Sequence, residues 1–225
     1  MKKIILVILL FCLSIGLGLS YGQEKSNEAD PFLAKMFNYA KAHNIKALEG
    51  LREQIKKKNN RNLTYAYSLA LYIASPKEYK QQYIDNYPTD FDGLYFIGTQ
   101  VDNKGLTPTY FYSIDSIGLI AEEGNEQAIE KIIFGQNHSD GGGAELFTEY
   151  LEKVLNKHLQ KTIKVFSRID ERQRKKAYVC FEDMGTKEFS SIKNKLNQLK
   201  TTATGSELKI INEILNYNFG DCCPD

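Results

Sequence analysis

A long stretch without proline is the feature that most constrains how this chain can fold. Only 5 of its 225 residues are Pro, and none lies between Tyr110 and Cys223. Because Pro breaks helix interiors, its absence leaves this stretch free to be helical. Apolar residues there recur at spacings of three and four, as in Ile114, Ile117 and Ile120. This spacing predicts amphipathic helices.

The residues before this stretch show the same helical period. Residues 63–73 are apolar on nearly every side, which predicts a buried helix. Loops are expected within 87–108, around a short helix, and from Gly135 to Gly143. Helix pairs recur at roughly 35–45 residues, so we expect an all-α fold of antiparallel pairs stacked as a short, HEAT-like α-solenoid. A compact helical bundle is the alternative.

The first 22 residues have the pattern of a signal peptide. Lys2 and Lys3 precede an apolar run that reaches Leu19, and small residues stand at Ser20 and Gly22. This arrangement predicts export to the periplasm or the medium, with cleavage after Gly22. Cleavage divides the chain into a signal peptide over 1–22, a flexible polar leader over 23–30 and a single helical domain over 31–225.

The N-terminal segment has two other interpretations. A lipoprotein signal ending at Cys12 is disfavoured, because Phe11 is bulky for the position before a lipidated Cys and the apolar run continues beyond it. An uncleaved membrane anchor is the second alternative, since the run approaches the length of a short span, about 17 residues. If the signal is cleaved, we expect no stable membrane insertion of the mature chain.

Composition and charge exclude some classes of protein. The chain is 42% hydrophobic and 25% charged, which is typical of globular domains. Its formal net charge is +1, so no bulk field attracts a polyanion. Together with export, this balance leads us to expect no nucleic-acid partner.

Cysteine usage leaves two alternatives open. Removal of the signal leaves Cys180, Cys222 and Cys223. In an oxidising compartment, Cys180 is a candidate to form a disulfide with Cys222 or Cys223, leaving one thiol over. The other interpretation is that Cys180, near Tyr178 and Phe181, is a buried thiol.

A glycine triplet suggests a candidate ligand site. Backbone N–H groups of glycines at the start of a helix can bind phosphate or carboxylate. The Lys-Ser or Lys-Thr of a Walker motif is absent, however, and a plain interhelical loop also explains the pattern. The spacing of His, Asp and Glu matches no standard zinc motif, so we expect no metal and no cofactor. The candidate ligand-binding residues are His138, Asp140, Gly141, Gly142, Gly143 and Glu145.

Tyrosines are concentrated in the first half of the mature chain. A concave surface lined by Tyr would suit a peptide, a glycan or a protein loop, because the ring is apolar and the hydroxyl polar. The alternative is that these residues lie at the edge of interhelical packing with their hydroxyls in water. The residues concerned are Tyr65, Tyr67, Tyr72, Tyr79, Tyr83, Tyr87, Tyr95, Tyr110 and Tyr112.

Residues 87–170 carry a resemblance to other proteins. The motif from Tyr87 to Phe91, a helix pair ending near Phe134, and the segment from Ser139 to Glu145 resemble secreted bacterial helical-repeat proteins, HEAT-like and of unknown function. The resemblance implies an origin in a bacterial envelope. It implies no activity and no ligand.

The sequence therefore favours a non-enzymatic binding or scaffolding protein of the bacterial envelope, with a protein or peptide as partner. One version is an immunity-type inhibitor that blocks the active site of a toxin. The alternative is an envelope hydrolase acting on cell-wall or glycan material, with a site near residues 138–145.

Overall fold

The fold is seen in a computed structural model that describes residues 31–90, 92–96, 109–139 and 141–217. All regular secondary structure in these ranges is helical, and they contain no strand. The expected all-α class is thus confirmed. The predicted signal peptide and leader, Asp140, Cys222 and Cys223 lie outside the described residues, so the predictions made for them stay predictions.

The helices follow one another with short connections, and residues 92–96 add a short helical segment between the fifth and the sixth. In chain order they are α1 Pro31–Lys41, α2 Ile45–Glu49, α3 Arg52–Lys58, α4 Arg61–Ala74, α5 Pro76–Asn86, α6 Thr109–Glu122, α7 Glu126–His138, α8 Gly141–Phe166, α9 Glu171–Ala177, α10 Cys180–Asp183, α11 Gly185–Lys200 and α12 Gly205–Leu215.

Side-chain caps determine where several helices begin. Asn44, Asn60, Asn125 and Asp170 each precede a helix, and the side chain of each accepts a hydrogen bond from a backbone N–H three residues later, at 2.9–3.0 Å. These bonds satisfy donors that have no partner within the helix. Gly124, with φ of +84°, ends the turn after α6 in a left-handed conformation that glycine adopts without strain. The residue types at Asn125, Asp170 and Gly124 predict these helix boundaries from the sequence alone.

Packing joins helices that are close in the chain. Helix α4 is apolar on most sides, as predicted, and contacts α1, α2, α3 and α5. Helices α6, α7 and α8 pack against one another, and α5 also contacts α7. Helix α8 further contacts α10, α11 and α12. Helix α8 therefore joins the middle part of the chain, α6 and α7, to the C-terminal helices α10, α11 and α12.

The loop expected from Gly135 to Gly143 is largely wrong. Helix α7 continues to His138, and α8 begins at Gly141. Gly135 lies inside α7, and the ring of Phe147 packs directly on it. A Cβ atom at position 135 would be 2.3 Å from that ring. The glycine therefore allows a close helix contact, and it does not break the helix.

Two further boundaries differ from those expected. The spacing of apolar residues predicts one helix through Leu155 and a second, short one through Ile163 and Phe166, but these form one element, α8, with a kink where His158 has φ of −134° and ψ of 41°. Conversely, the sequence predicts a single helix capped by Asp170 and ending near Gly185, and the structure divides it into α9 and α10. No helix in the described part of the chain is long and apolar enough to cross a membrane.

Candidate partner-binding surface

An apolar stripe on α6 faces solvent. The large hydrophobic side chains that are exposed in the described part of the chain are Phe111, Tyr112 and Leu119, with 41%, 45% and 56% of their surface accessible. Tyr112 and Leu119 are seven residues apart and therefore lie on one face of the helix, about 10 Å from each other along its axis. We refer to these three residues as the α6 stripe.

Polar contacts with neighbouring helices border the α6 stripe. Asp115, one turn from Tyr112, accepts a hydrogen bond from the hydroxyl of Tyr150 at 2.9 Å. Glu122 forms ion pairs with Lys153 at 3.8 Å and with Lys157, and Glu123 pairs with Lys80 of α5. The stripe is thus apolar at its centre and charged at its border, which is the usual composition of a protein interaction site.

The end of α6 is held in place by the kink in α8. The ring nitrogen Nε2 of His158 lies 2.9 Å from the backbone oxygen of Glu122, and Lys161 donates to the backbone oxygen of Gly124 at 2.8 Å. These contacts occupy carbonyl groups at the C-terminal end of α6, where the helix dipole favours positive charge. They fix the position of the exposed face relative to α8.

Most of the tyrosines do not form an exposed surface. Tyr65, Tyr83 and Tyr87 are buried around Ser113 of α6: Tyr83 donates to the backbone oxygen of Ser113 at 2.7 Å, and the hydroxyls of Tyr65 and Ser113 are hydrogen-bonded. The Tyr65–Tyr87 and Tyr83–Tyr87 ring pairs are edge-on, at 5.5 and 5.6 Å. Burial raises the pKa of Tyr83 and Tyr87 well above the ordinary value. The tyrosine-lined surface is therefore wrong for these residues, as is the placement of their hydroxyls in water.

Tyr112 is the exception among the tyrosines that the sequence singled out, since it belongs to the α6 stripe. Phe111 and Leu119 were not predicted as functional residues. One signal could have found Leu119: it lies off the face of α6 that carries Ile114 and Ile117. Apolar residues on the solvent side of an amphipathic helix are a local departure from its pattern.

The three glycines of the triplet have different surroundings in the structure. Gly143 is buried, and a Cβ atom there would be 2.4 Å from the hydroxyl of Tyr110, so the close approach of α6 to the start of α8 explains the small residue at this position. Gly141 has φ of +47°, a left-handed conformation that favours glycine, and opens α8. A Cβ atom at Gly142 would make only ordinary contact with the ring of Phe111, at 3.7 Å, so packing does not require glycine there.

The polar members of the candidate ligand site are not assembled into a cluster among the described residues. His138 ends α7 and Glu145 lies on the exposed side of α8, and neither forms a hydrogen bond or ion pair with another described residue. No group of three His, Cys, Asp or Glu side chains that could hold a metal ion occurs where the structure describes the chain. Asp140 lies outside that part, so its contribution stays a prediction.

Cys180 occupies the interior of the C-terminal part. Its side chain is fully buried, beside Phe181 and one turn from Met184. Because Cys222 and Cys223 lie outside the described residues, both alternatives for Cys180 stay open.

Two surface hollows in the described chain are lined by residues outside both candidate sites. One is lined by residues of α12, including Leu208 and Glu213, and the other lies between α8 and α11, at Asn156 and Lys195. Comparison with known protein families, with curated proteins and with solved structures finds no match for this chain. Its function must therefore be inferred from its own residues.

Proposed function

We propose that this chain is an exported, non-enzymatic binding protein of the bacterial envelope, and that it binds a protein partner through the α6 stripe. The observation that carries the proposal is the exposure of Phe111, Tyr112 and Leu119 on a helix whose isoleucines are all buried. Single exposed apolar residues are ordinary, but three on one helix, bordered by charge, are typical of an interface.

The charge around the α6 stripe favours a basic partner. Residues 78–152, which include α6 and α7, contain fourteen Asp or Glu and three Lys or Arg, a net charge of −11. Lysines of α5 and α8 neutralise part of this charge at Glu122 and Glu123. The negative charge that is not neutralised complements a positively charged protein surface and would accelerate the association of such a protein with this chain. An immunity-type inhibitor that covers a cationic active site is one protein of this kind.

We also propose that the helices form a short α-solenoid. Support comes from the hydrogen bonds that join separate helices: Tyr65 to Ser113, Lys131 to Tyr87 and Arg174 to Glu213 connect residues 39–48 positions apart. Contacts of such limited range are expected when each helix packs on its neighbours along the chain. In a solenoid the faces of successive helices form one extended binding surface.

The binding proposal is tested by comparing how much partner protein the purified wild type and two variants recover from an envelope extract. Tyr112→Ser and Leu119→Lys remove apolar surface, and Leu119→Lys also repels a basic partner. Both are surface changes, so the free energy of unfolding should move by only about 0.5 kcal/mol. We expect purified wild type to recover a stoichiometric basic protein from envelope extract, and both variants to lose it.

Gln198→Lys is the matched control, because it adds the same charge at an exposed position on α11. It should retain the partner. Recovery of no stoichiometric partner, or equal recovery by Leu119→Lys and wild type, would contradict the proposal. Self-association of the wild type that Leu119→Lys abolishes would show that the stripe joins two copies of this chain.

The hydrolase alternative can be tested separately. Alanine at His138, Asp140 or Glu145 should leave a binding protein unaffected, since His138 and Glu145 make no polar contacts with described residues. Turnover of peptidoglycan or glycan by wild type, with loss in these variants, would favour the hydrolase.

A further inference from the structure

The N-terminal helices carry an unusual concentration of positive charge. Residues 31–61, which contain α1, α2 and α3, include eight Lys or Arg and two Asp or Glu, a net charge of +6, although the whole chain has +1. This excess lies in a different part of the protein from the α6 stripe. It is opposite in sign to the acidic region over 78–152.

Lysines and partly exposed aromatic rings form one surface on these helices. The Nζ atom of Lys58, at the end of α3, lies 4.8 Å from the ring centre of Phe32, at the start of α1. One turn further along α1, Nζ of Lys35 lies 5.7 Å from the ring centre of Tyr39. Both rings are half-buried, and both lysines are exposed. We call Phe32, Lys35, Tyr39 and Lys58, with the exposed Lys57, the basic face.

Internal ion pairs neutralise little of this charge. Arg52 pairs with Glu49 at 3.8 Å, Lys56 with Glu53 at 3.1 Å, and Arg61 with Asp90 at 3.1 Å, and all three pairs are solvent-exposed. By contrast, no ion pair joins any described carboxylate to a further five lysines of α1–α3. These are Lys35, Lys41, Lys46, Lys57 and Lys58.

The fold does not need these lysines. The core contacts of α1 come from residues such as Met36 and Phe37, and those of α3 from Ile55, all of them buried, whereas the lysines are exposed. Like charges crowded on one surface repel each other, which lowers stability unless a partner neutralises them. The charge that the described residues leave uncompensated therefore points to an anionic partner.

We propose that the basic face binds the phosphate head groups of an anionic lipid bilayer. A bilayer suits this surface better than an acidic protein, because lysines on flexible stems and half-exposed rings can engage the head-group region without a shaped groove. Binding through dispersed lysines is cumulative, with each one contributing about fivefold in affinity near an anionic membrane. This proposal does not depend on the α6 stripe. Binding through the basic face would hold the protein at a membrane, and the acidic region that contains α6 lies on other helices.

The test is co-sedimentation of the exported, purified protein with lipid vesicles. Vesicles of equal parts phosphatidylglycerol and phosphatidylcholine should bind it, and phosphatidylcholine vesicles should not. Rising salt should release it, because the contact is electrostatic and screening acts within about 10 Å. The triple variant Lys35→Gln, Lys57→Gln, Lys58→Gln should weaken binding about a hundredfold while its helical circular dichroism stays unchanged.

A second triple variant is the matched control. Lys176→Gln, Lys187→Gln and Lys200→Gln remove the same charge from exposed positions of α9 and α11. It should bind about as well as wild type. Equal losses in both triple variants, equal binding to phosphatidylcholine vesicles, or no binding to either vesicle would overturn the proposal. Binding to a poly-glutamate peptide in place of vesicles would also overturn it, in favour of an acidic protein partner.

Discussion

Tyr150 of α8 lies directly against Gly118 of α6. A Cβ atom at position 118 would be 2.3 Å from Cγ of the ring, so only glycine permits this approach. The hydroxyl of the same ring donates to Asp115, which lies beside the α6 stripe. One side chain thus sets both the distance between α6 and α8 and the orientation of a polar group at the candidate interface.

Alanine at Gly118 should therefore destabilise the protein. The added methyl group has to displace a nearly buried ring, and overpacking of this kind costs about 1–3 kcal/mol. Gly135→Ala should behave similarly, because Phe147 packs on that glycine in the same way. Urea unfolding followed by circular dichroism measures both effects.

Gly50 provides the matched control. It has φ of −61° and its nearest neighbour to an added Cβ atom is a backbone oxygen at 3.4 Å, so alanine fits there. Gly50→Ala should leave the protein as stable as wild type or raise its free energy of unfolding by about 0.5–1 kcal/mol. Equal stability of the Gly118 and Gly50 variants would show that α6 and α8 are not packed as described.

A buried arginine joins the helices of the C-terminal part. Arg174 is 5% exposed and pairs with the half-buried Glu213 of α12 at 3.0 Å, while its guanidinium also donates to the backbone oxygens of Phe166 and Ile169. Arg174→Met would leave these backbone acceptors without their donor. We expect a loss of about 1–3 kcal/mol in unfolding free energy, the usual cost of leaving buried acceptors unpaired.

The exposed Arg172, two residues earlier on α9, is the control for this prediction. Arg172→Met should change the midpoint of thermal unfolding little, and Arg174→Met should lower it by many degrees. If the two variants unfold at the same temperature, Arg174 does not make the described contacts.

Alkaline pH should destabilise the fold through its buried tyrosines. Burial raises the pKa of Tyr65 and Tyr83, and burial together with the nearby Glu49 raises the pKa of Tyr79 to about 12. Above pH about 10 the unfolded chain loses these protons while the folded chain keeps them, so the free energy of unfolding falls as pH rises towards 12. Below pH about 10 the buried tyrosines contribute their full stabilisation to the fold.

Urea midpoints measured from neutral to strongly alkaline pH check this expectation. The absorbance of tyrosinate should show the buried tyrosines ionising together with unfolding. Tyr79→Phe should reduce the pH dependence, because it removes one of the groups that titrate. A midpoint that stays constant to pH about 11 would contradict the burial of these hydroxyls.

Local chemistry made much of the fold predictable. The caps at Asn125 and Asp170, the turn at Gly124 and the buried character of α4 follow from residue types and their spacing, which act within a few positions. The glycines at 135 and 143 were misinterpreted because their purpose is a contact with another helix. Only the tertiary structure shows that Phe147 and Tyr110 occupy the space that a side chain would fill.

The candidate site was predictable only in part. Tyr112 was singled out with the other tyrosines, but its exposure could not be separated from the burial of Tyr83 and Tyr87 by residue type alone. That distinction depends on which neighbours cover each ring. The residues proposed near the glycine triplet follow from a local motif, whereas the described geometry explains Gly143 by its packing against Tyr110.

Export remains a prediction from the first residues of the chain. If the signal peptide is cleaved as expected, the mature protein begins at Gln23, which N-terminal sequencing of the exported form detects. Gly22→Lys should block processing, because signal peptidase requires a small residue at that position, and the precursor should accumulate. An unprocessed wild-type chain in the membrane fraction would instead support the anchor alternative.

The most direct test of the account is photo-crosslinking from the α6 stripe in living cells. A photoreactive phenylalanine analogue at Leu119 should give one discrete adduct with a basic envelope protein, and the same analogue at the exposed Ser191 of α11 should give none. Absence of an adduct at Leu119, or the same adducts from both positions, would contradict the claim that this helix face binds a partner.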